Sequence, residues 1–557
     1  MNDNQSLIGN LKKANQVLSA MNDIRPISCG LLACLGALLL AGCATPPPTT
    51  SRAAFTGMTV NGQPVRMVLD TGAASTVIHS IAANRLGLRF AQPKKGIAAG
   101  EFEVVAGMSE PANVAKNGQS ISVRIPVVIV RNTLDNGVDG VIGWPEVRNN
   151  VMAFDPANRI VHLAEHIPDG EDGWLKFKIH PHDTLLLETT LPDGNAGILL
   201  VDTGAPQSVQ LPKEKWEDLR AAHPDAPVKT AKYSNWSIGN FTTQSMLLDA
   251  LQIGPLRLKR ISVETMAPAE LAWLHRSAPQ AEILGVLGLG ALNQIDLVVD
   301  GKKGSAWLRP KTKPARFQPG PWTVANDVPF NCDTLLVRSG IDECSHQDFD
   351  AAIVDYNRAI DLNPENPKAF ANRAMTELEK QDLPAAIADE TRALEIDPNN
   401  LEYYADRAVT RQIHGDFSDA LADYDKMIEL DPDHSIAAQL NRQTLLRRLG
   451  RPTDDFLDIV SAWPDGWNKT LALFVADRLD ENTLLEVAQH AEGIPVQNLQ
   501  CEAFYYIGLK HLLDGDKDGA RGFFQDSLAT GVRKYSEYRF AAAELTRLGY
   551  PAQEPTR

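Results

Sequence analysis

A chain of 557 residues is too long for one hydrophobic core, so three or four domains are expected. Its composition, 44% hydrophobic and 22% charged, is that of an ordinary globular protein. The formal net charge of −16 excludes the basic footprint that nucleic-acid binding requires.

The first feature in chain order is an apolar run, "CGLLACLGALLLAG", from Cys29 to Gly42. It is shorter than the roughly 20 residues a membrane-spanning helix needs, and it has the size of a signal-peptide core. It closes in "LAGC", Leu40 to Cys43, which resembles the lipobox of bacterial lipoproteins. The resemblance implies cleavage before Cys43, lipidation of that cysteine and attachment to a membrane. Ala44 rather than an aspartate follows, which implies the outer membrane, facing the periplasm. The alternative is a plain export signal or an uncleaved anchor. Translation begins at Met1 or at Met21, the second giving the more usual short leader with Arg25 as its positive charge. Residues 1–42 are read as a lipoprotein signal peptide, and the Pro/Thr-rich residues 43–55 as an extended tether.

Next comes a sentence written twice. "VRMVLDTGAASTVI", Val65–Ile78, returns as "GILLVDTGAPQSVQ", Gly197–Gln210, with Asp70 and Asp202 in register 132 positions apart. Asn61-Gly62 precedes the first copy and Asp193-Gly194 the second. Both dipeptides supply the positive φ angles of a tight hairpin, so each aspartate is expected where a buried strand ends in a loop. A second echo aligns without a gap: "DGVIGWPEVRNNVMAFD" from Asp139 matches "LGVLGLGALNQIDLVVD" from Leu284, placing Gly143 on Gly288 at an offset of 145. Residues 56–165 and 174–312 are therefore read as two copies of one all-β unit.

The pattern of apolar residues, Asp-Thr-Gly-Ala, then Thr76 or Ser208, then apolar-apolar-Gly, resembles the retropepsin-like aspartic proteases. That resemblance implies an all-β, double-lobed fold in which Asp70 and Asp202 form a catalytic dyad. Thr71 and Thr203 would then hydrogen-bond across the lobes, with Gly72, Ala73, Gly204 and Ala205 completing the loops and Gly143 and Gly288 packing beneath them. Such a dyad needs no cofactor and no metal. It would hydrolyse protein or peptide substrates by activating water, because two adjacent carboxyls share a proton and so offer a base and an acid together. Flaps are expected near "KGIAAGEFEVVAG", Lys95–Gly107, and "AKYSNWSIGNFTT", Ala231–Thr243. His79 and the other histidines fall into no triad.

Residues 313–340 read as a Pro-containing linker. Beyond them "DFDAAIVDYNRAIDLNP", "DLPAAIADETRALEIDP" and "DFSDALADYDKMIELDP" end in Pro364, Pro398 and Pro432, a strict period of 34 with Ala352, Ala386 and Ala420 in phase. This is the tetratricopeptide signature of an all-α solenoid of paired helices. Residues 341–450 are assigned to the repeats and 451–557 to a degenerate helical continuation. Such arrays imply protein partners. Cys332 and Cys344 are placed to close a short disulfide loop in an exported chain, while Cys501 reads as a core thiol. The leading expectation is a membrane-tethered aspartic endopeptidase. Its rival is a non-catalytic cell-envelope scaffold that binds peptides or proteins through the repeats and the β pair.

Overall fold

The computed structural model describes residues 57–550 apart from 91–96, 100–101, 117, 131–137, 157, 169–172, 206–207, 236–238, 279–280, 312–322, 325–330, 433–434, 453–455 and 491–493. Cys43 and the whole of the expected signal and tether lie outside the described residues. The chain divides into two compact units, one ending at Asp342 and the other beginning at Glu343.

The first unit is β-rich and doubled. In the first copy, strand Met58–Val60 turns at Asn61-Gly62, where φ is +50° and +74°, into the short strand Gln63–Pro64. The chain then crosses into a different sheet as strand Met67–Asp70, so one sequence run supplies two strands in two sheets. In the second copy the hairpin stays whole: Leu186–Thr190 pairs with Ala196–Val201, and Gly194 in the turn has φ +89°. Ala196–Val201 is almost wholly buried, as expected of an apolar strand covered on both faces.

Each strand leading to an aspartate is flanked by its own echo segment in parallel: Met67–Asp70 against Gly140–Gly143, and Gly197–Val201, just before Asp202, against Glu282–Leu287. The two lobes are joined by antiparallel pairing of Val151–Asp155 with Ile295–Asp300. Within that pairing Ala153 stands opposite Val298, and these two are equivalent positions of the two copies, 145 apart. A residue can face its own repeat partner only on a local twofold axis. The lobes are thus related as two subunits of a symmetric pair would be.

The second unit is all-helical. Helices Phe349–Leu362, Leu383–Ile396 and Phe417–Leu430 each stop just short of Pro364, Pro398 and Pro432. Helices Pro367–Glu379, Leu401–His414 and Ile436–Arg448 alternate with them. Ala352, Ala386 and Ala420 have no exposed surface, and Ala374 and Ala408 on the alternating helices are equally buried, which is why small residues recur there. Asp348 and Asp382 cap their helices by accepting from the amides of Ala351 and Ala385. A larger aromatic core, with Trp467, Tyr505, Tyr506, Phe524 and Phe540, closes the array towards its C-terminal end.

Two expectations need revision. The segment read as a linker ends in a helix, Cys332–Ser345. Cys332 and Cys344 both lie on it and are free thiols, as is Cys501. Twelve residues along one helix separate the two α-carbons by about 18 Å at 1.5 Å per residue, far beyond disulfide reach.

Candidate active site

The two Asp-Thr-Gly loops meet at the lobe interface, and their hydrogen bonds repeat across it. The Thr71 amide donates to Thr203 Oγ1 (3.0 Å), and the Thr203 amide to Thr71 Oγ1 (3.1 Å). Each hydroxyl in turn donates into the opposite lobe, Thr71 to the Val201 carbonyl (2.7 Å) and Thr203 to the Leu69 carbonyl (2.9 Å). Both threonines are buried, so neither bond competes with water.

That lock presses the two carboxyls together. Asp70 is buried and Asp202 half-buried. Asp70 Oδ1 accepts from the Gly72 amide (2.9 Å), while Asp202 Oδ1 accepts from the amides of Gly204 (2.7 Å) and Ala205 (3.0 Å). Desolvation, then the charge and the hydrogen bond of Asp202, hold the Asp70 carboxyl well above the ordinary carboxylate range. Desolvation raises Asp202 less, because the hydrogen bond from Asp70 and the amides of its own loop stabilise its charge. The pair therefore keeps one proton between them.

The glycines are a spatial necessity. A Cβ on Gly72 would lie 2.7 Å from Asp202 Cγ, and one on Gly204 would lie 2.6 Å from Asp70 Cγ. Ala73 and Ala205 are buried, and their carbonyls accept from the equivalent amides of Trp144 (3.0 Å) and Leu289 (2.9 Å). Gly143 passes so near Ser75 that a Cβ there would meet its backbone at 2.6 Å, and its amide donates to Thr76 Oγ1 (3.3 Å). Gly288 donates to the Ser208 carbonyl (3.0 Å). Both flap segments fold as hairpins, Ile97–Ala99 with Phe102–Met108 and Val228–Asn235 with Gly239–Ile253. His79 is buried and takes no part in the loop bonding.

Two further carboxyls stand near the loops, Glu270 towards Asp202 and Glu146 behind the Asp70 loop. Glu270, at the start of helix Pro268–Ser277, is pushed up to about 8 by desolvation and by the Asp202 charge, and it accepts from the Ala267 amide. The same helix sets Trp273 edge-on to His182, with ring centroids 5.3 Å apart, in a loop whose Leu185 amide donates to the Thr71 carbonyl (2.9 Å). Glu146 is buried behind the Asp70 loop, accepts from Thr76 Oγ1 (2.8 Å), and is raised to about 7 by burial. Glu270 belongs to no motif. Glu146 left one trace: the gapless echo sets it against Ala291, an acid in one copy where the other has a methyl group.

Comparison with known proteins agrees with both halves. Residues 56–145 match the family model described as aspartyl protease, and residues 338–400 match the tetratricopeptide repeat model. Similar solved structures are tetratricopeptide proteins. A repeat protein from Parabacteroides merdae is 16% identical, over 38% of this chain and 84% of that one, with TM-score 0.28. The Arabidopsis OM64 repeat domain is 26% identical over 20% and 93%, with TM-score 0.19. The TPR2B domain of yeast Sti1, solved as a complex with pHsp70, is 21% identical over 21% and 97%, with TM-score 0.20. The chain carries an aspartyl protease family domain followed by a tetratricopeptide repeat array.

Proposed function

We propose that the chain is an aspartic endopeptidase whose dyad is Asp70 and Asp202. The observation that carries this reading is the coupled pair itself, two desolvated, hydrogen-bonded carboxyls held by reciprocal threonine bonds across a twofold axis. In the proposed reaction a water lies against both carboxyls. The Asp202 carboxylate takes a proton from it as its oxygen attacks the scissile carbonyl carbon. Asp70 gives its proton to the carbonyl oxygen, so a neutral gem-diol forms. Asp202 then passes its proton to the amide nitrogen. As the carbon–nitrogen bond breaks, one gem-diol hydroxyl returns its proton to Asp70, releasing a carboxylic acid and an amine and leaving one proton on the pair.

The repeats are proposed to recruit protein partners or substrates, a reading supported by the repeat match over residues 338–400 and by the concave binding surface that such arrays create. A lipid anchor at Cys43 is proposed to hold the chain at the bacterial outer membrane on its periplasmic side. Metabolic labelling with radioactive palmitate should mark the wild-type chain and not Cys43→Ser; equal labelling of both would overturn the anchor.

The peptidase reading is tested with a diverse peptide library and the chain lacking residues 1–42, over acidic to neutral pH. Asp70→Asn and Asp202→Asn should each abolish cleavage while leaving the circular dichroism spectrum unchanged. Cleavage that survives either substitution removes the dyad. No cleavage by the parent at any pH leaves the peptide-binding scaffold.

A further inference from the structure

The two lobes support their catalytic loops differently. In lobe two, Gly290 and Ala291 let the chain pass directly against Ser208: a Cβ on Gly290 would lie 2.7 Å from Ser208 Cβ. In lobe one the equivalent positions are Pro145 and Glu146, so a buried carboxyl side chain stands there instead. One oxygen of Glu146 accepts from Thr76, at the end of the Asp70 loop. The other faces Thr334 Oγ1 (3.4 Å), on the helix Cys332–Ser345.

That helix is fastened to lobe one along its length. The Asn331 amide donates to the Glu146 carbonyl (2.7 Å), and Asn331 Nδ2 to the Pro145 carbonyl (3.0 Å). Two turns on, Arg338 Nη2 donates to the carbonyl of Ala74, inside the loop that follows Asp70 (2.8 Å). Ser339 Oγ accepts from the Arg124 amide (3.2 Å), and Asp342 pairs with the Arg124 side chain (3.8 Å). Leu335, Leu336 and Val337 are buried between these bonds. The helix ends at Ser345, and the first repeat helix starts at Phe349.

We propose that the helix Cys332–Ser345 is part of the peptidase, with Arg338 and Glu146 as positioning residues that hold the Asp70 loop in register with the Asp202 loop. The catalytic lobe does not end at its last strand: it needs the helix that leads the chain into the repeats. Whatever draws on that helix acts directly on the Asp70 loop and reaches Asp202 only through the threonine lock. This inference deepens the peptidase reading, and its kinetic arm rests on that reading.

The test compares Arg338→Ala, Arg338→Lys and Glu146→Gln with the parent in the chain lacking residues 1–42. Amide hydrogen exchange is followed by mass spectrometry on peptides covering 70–77 and 202–211. In Arg338→Ala exchange should quicken about tenfold in 70–77 and stay unchanged in 202–211. On a cleaved peptide, kcat should fall about tenfold at an unchanged KM, since the loop is misplaced while the cleft is intact. Arg338→Lys, which keeps a donor and a charge, should recover most of both effects. Glu146→Gln should show the same one-sided exchange more weakly, because its amide still accepts from Thr76. Unchanged exchange in 70–77, or an equal rise in both loops, overturns the proposal. If the parent cleaves nothing, the peptidase reading fails, and the exchange pattern alone decides whether the helix holds the loop.

Discussion

A glycine can be required for its backbone or for its emptiness, and this chain contains both kinds. Gly62 has φ +74° with nothing within 4 Å of the place where a Cβ would go, so only the turn conformation demands it. Gly204 has ordinary dihedral space but faces Asp70 at a distance no Cβ tolerates. Gly62→Ala should therefore cost about 1 kcal/mol of stability through strain at positive φ, with kcat unchanged. Gly204→Ala must displace the Asp70 carboxyl or its own loop. A shift approaching 1 Å in a catalytic group lowers kcat by roughly a hundredfold. Thermal melts and steady-state kinetics on the two variants separate the cases. The site reading is wrong if Gly204→Ala retains full kcat.

At the scale of elements, the helices of the array were legible because their signals are local. The capping aspartates at 348 and 382, the buried alanines and the terminating prolines each act within one turn or one neighbour, and all repeat every 34 residues. Ala386 is the sharpest case: it has no exposed surface and packs with Ala374 and Leu378 of the preceding helix. Ala386→Leu has nowhere to put three extra carbons, and it should destabilise the helical unit by about 1–3 kcal/mol. A lower urea midpoint of the helical circular dichroism signal would show this; an unchanged midpoint would mean the helices are not in close contact there. The doubled Asp-Thr-Gly was legible for a different reason, since a carboxyl pair must be spelled out residue by residue in both copies. What sequence could not show was decided by distant chain. Val65 and Arg66 break one expected strand in two because its halves join different sheets. Residues Cys332–Ser345 form a helix for which lobe one offers Glu146, Pro145 and Ala74 as partners. The two cysteines on it then stand too far apart to bond.

At the scale of the whole molecule, acids withdrawn wholly or partly from water set how stability responds to pH. Glu146 and Glu270 in the β-rich unit are raised to about 7 and about 8, and Glu377, Glu390 and Asp406 in the helical unit to about 7, 8 and 7, in every case with desolvation as the largest cause. Unfolded, the glutamates titrate near 4.5 and the aspartate near 3.8. The folded state thus binds these protons more tightly, and the stability they contribute is fully present below the unfolded values. It is lost as pH rises through about 7 to 8. Asp480 and Asp516 are lowered and oppose this, but they lie in solvent, where screening leaves them little weight. His79, buried and lowered by desolvation, also opposes it, its contribution being gained as pH rises towards the unfolded value of 6.5. A tenfold difference in proton affinity between the folded and unfolded chain is worth about 1.4 kcal/mol, so Glu146 alone carries on the order of 3 kcal/mol between the ends of that range. Melting temperature should accordingly fall steadily from about pH 5 to pH 8 in both units, a window set by those pKa values. Glu146→Gln should flatten the curve of the β-rich unit, and Glu390→Gln, whose amide still accepts from Thr410, that of the helical unit. Calorimetric scans of the three proteins at several pH values decide the matter. A parent whose melting temperature rises towards pH 8 would mean that these carboxyls are ionised, and that water or a cation reaches them.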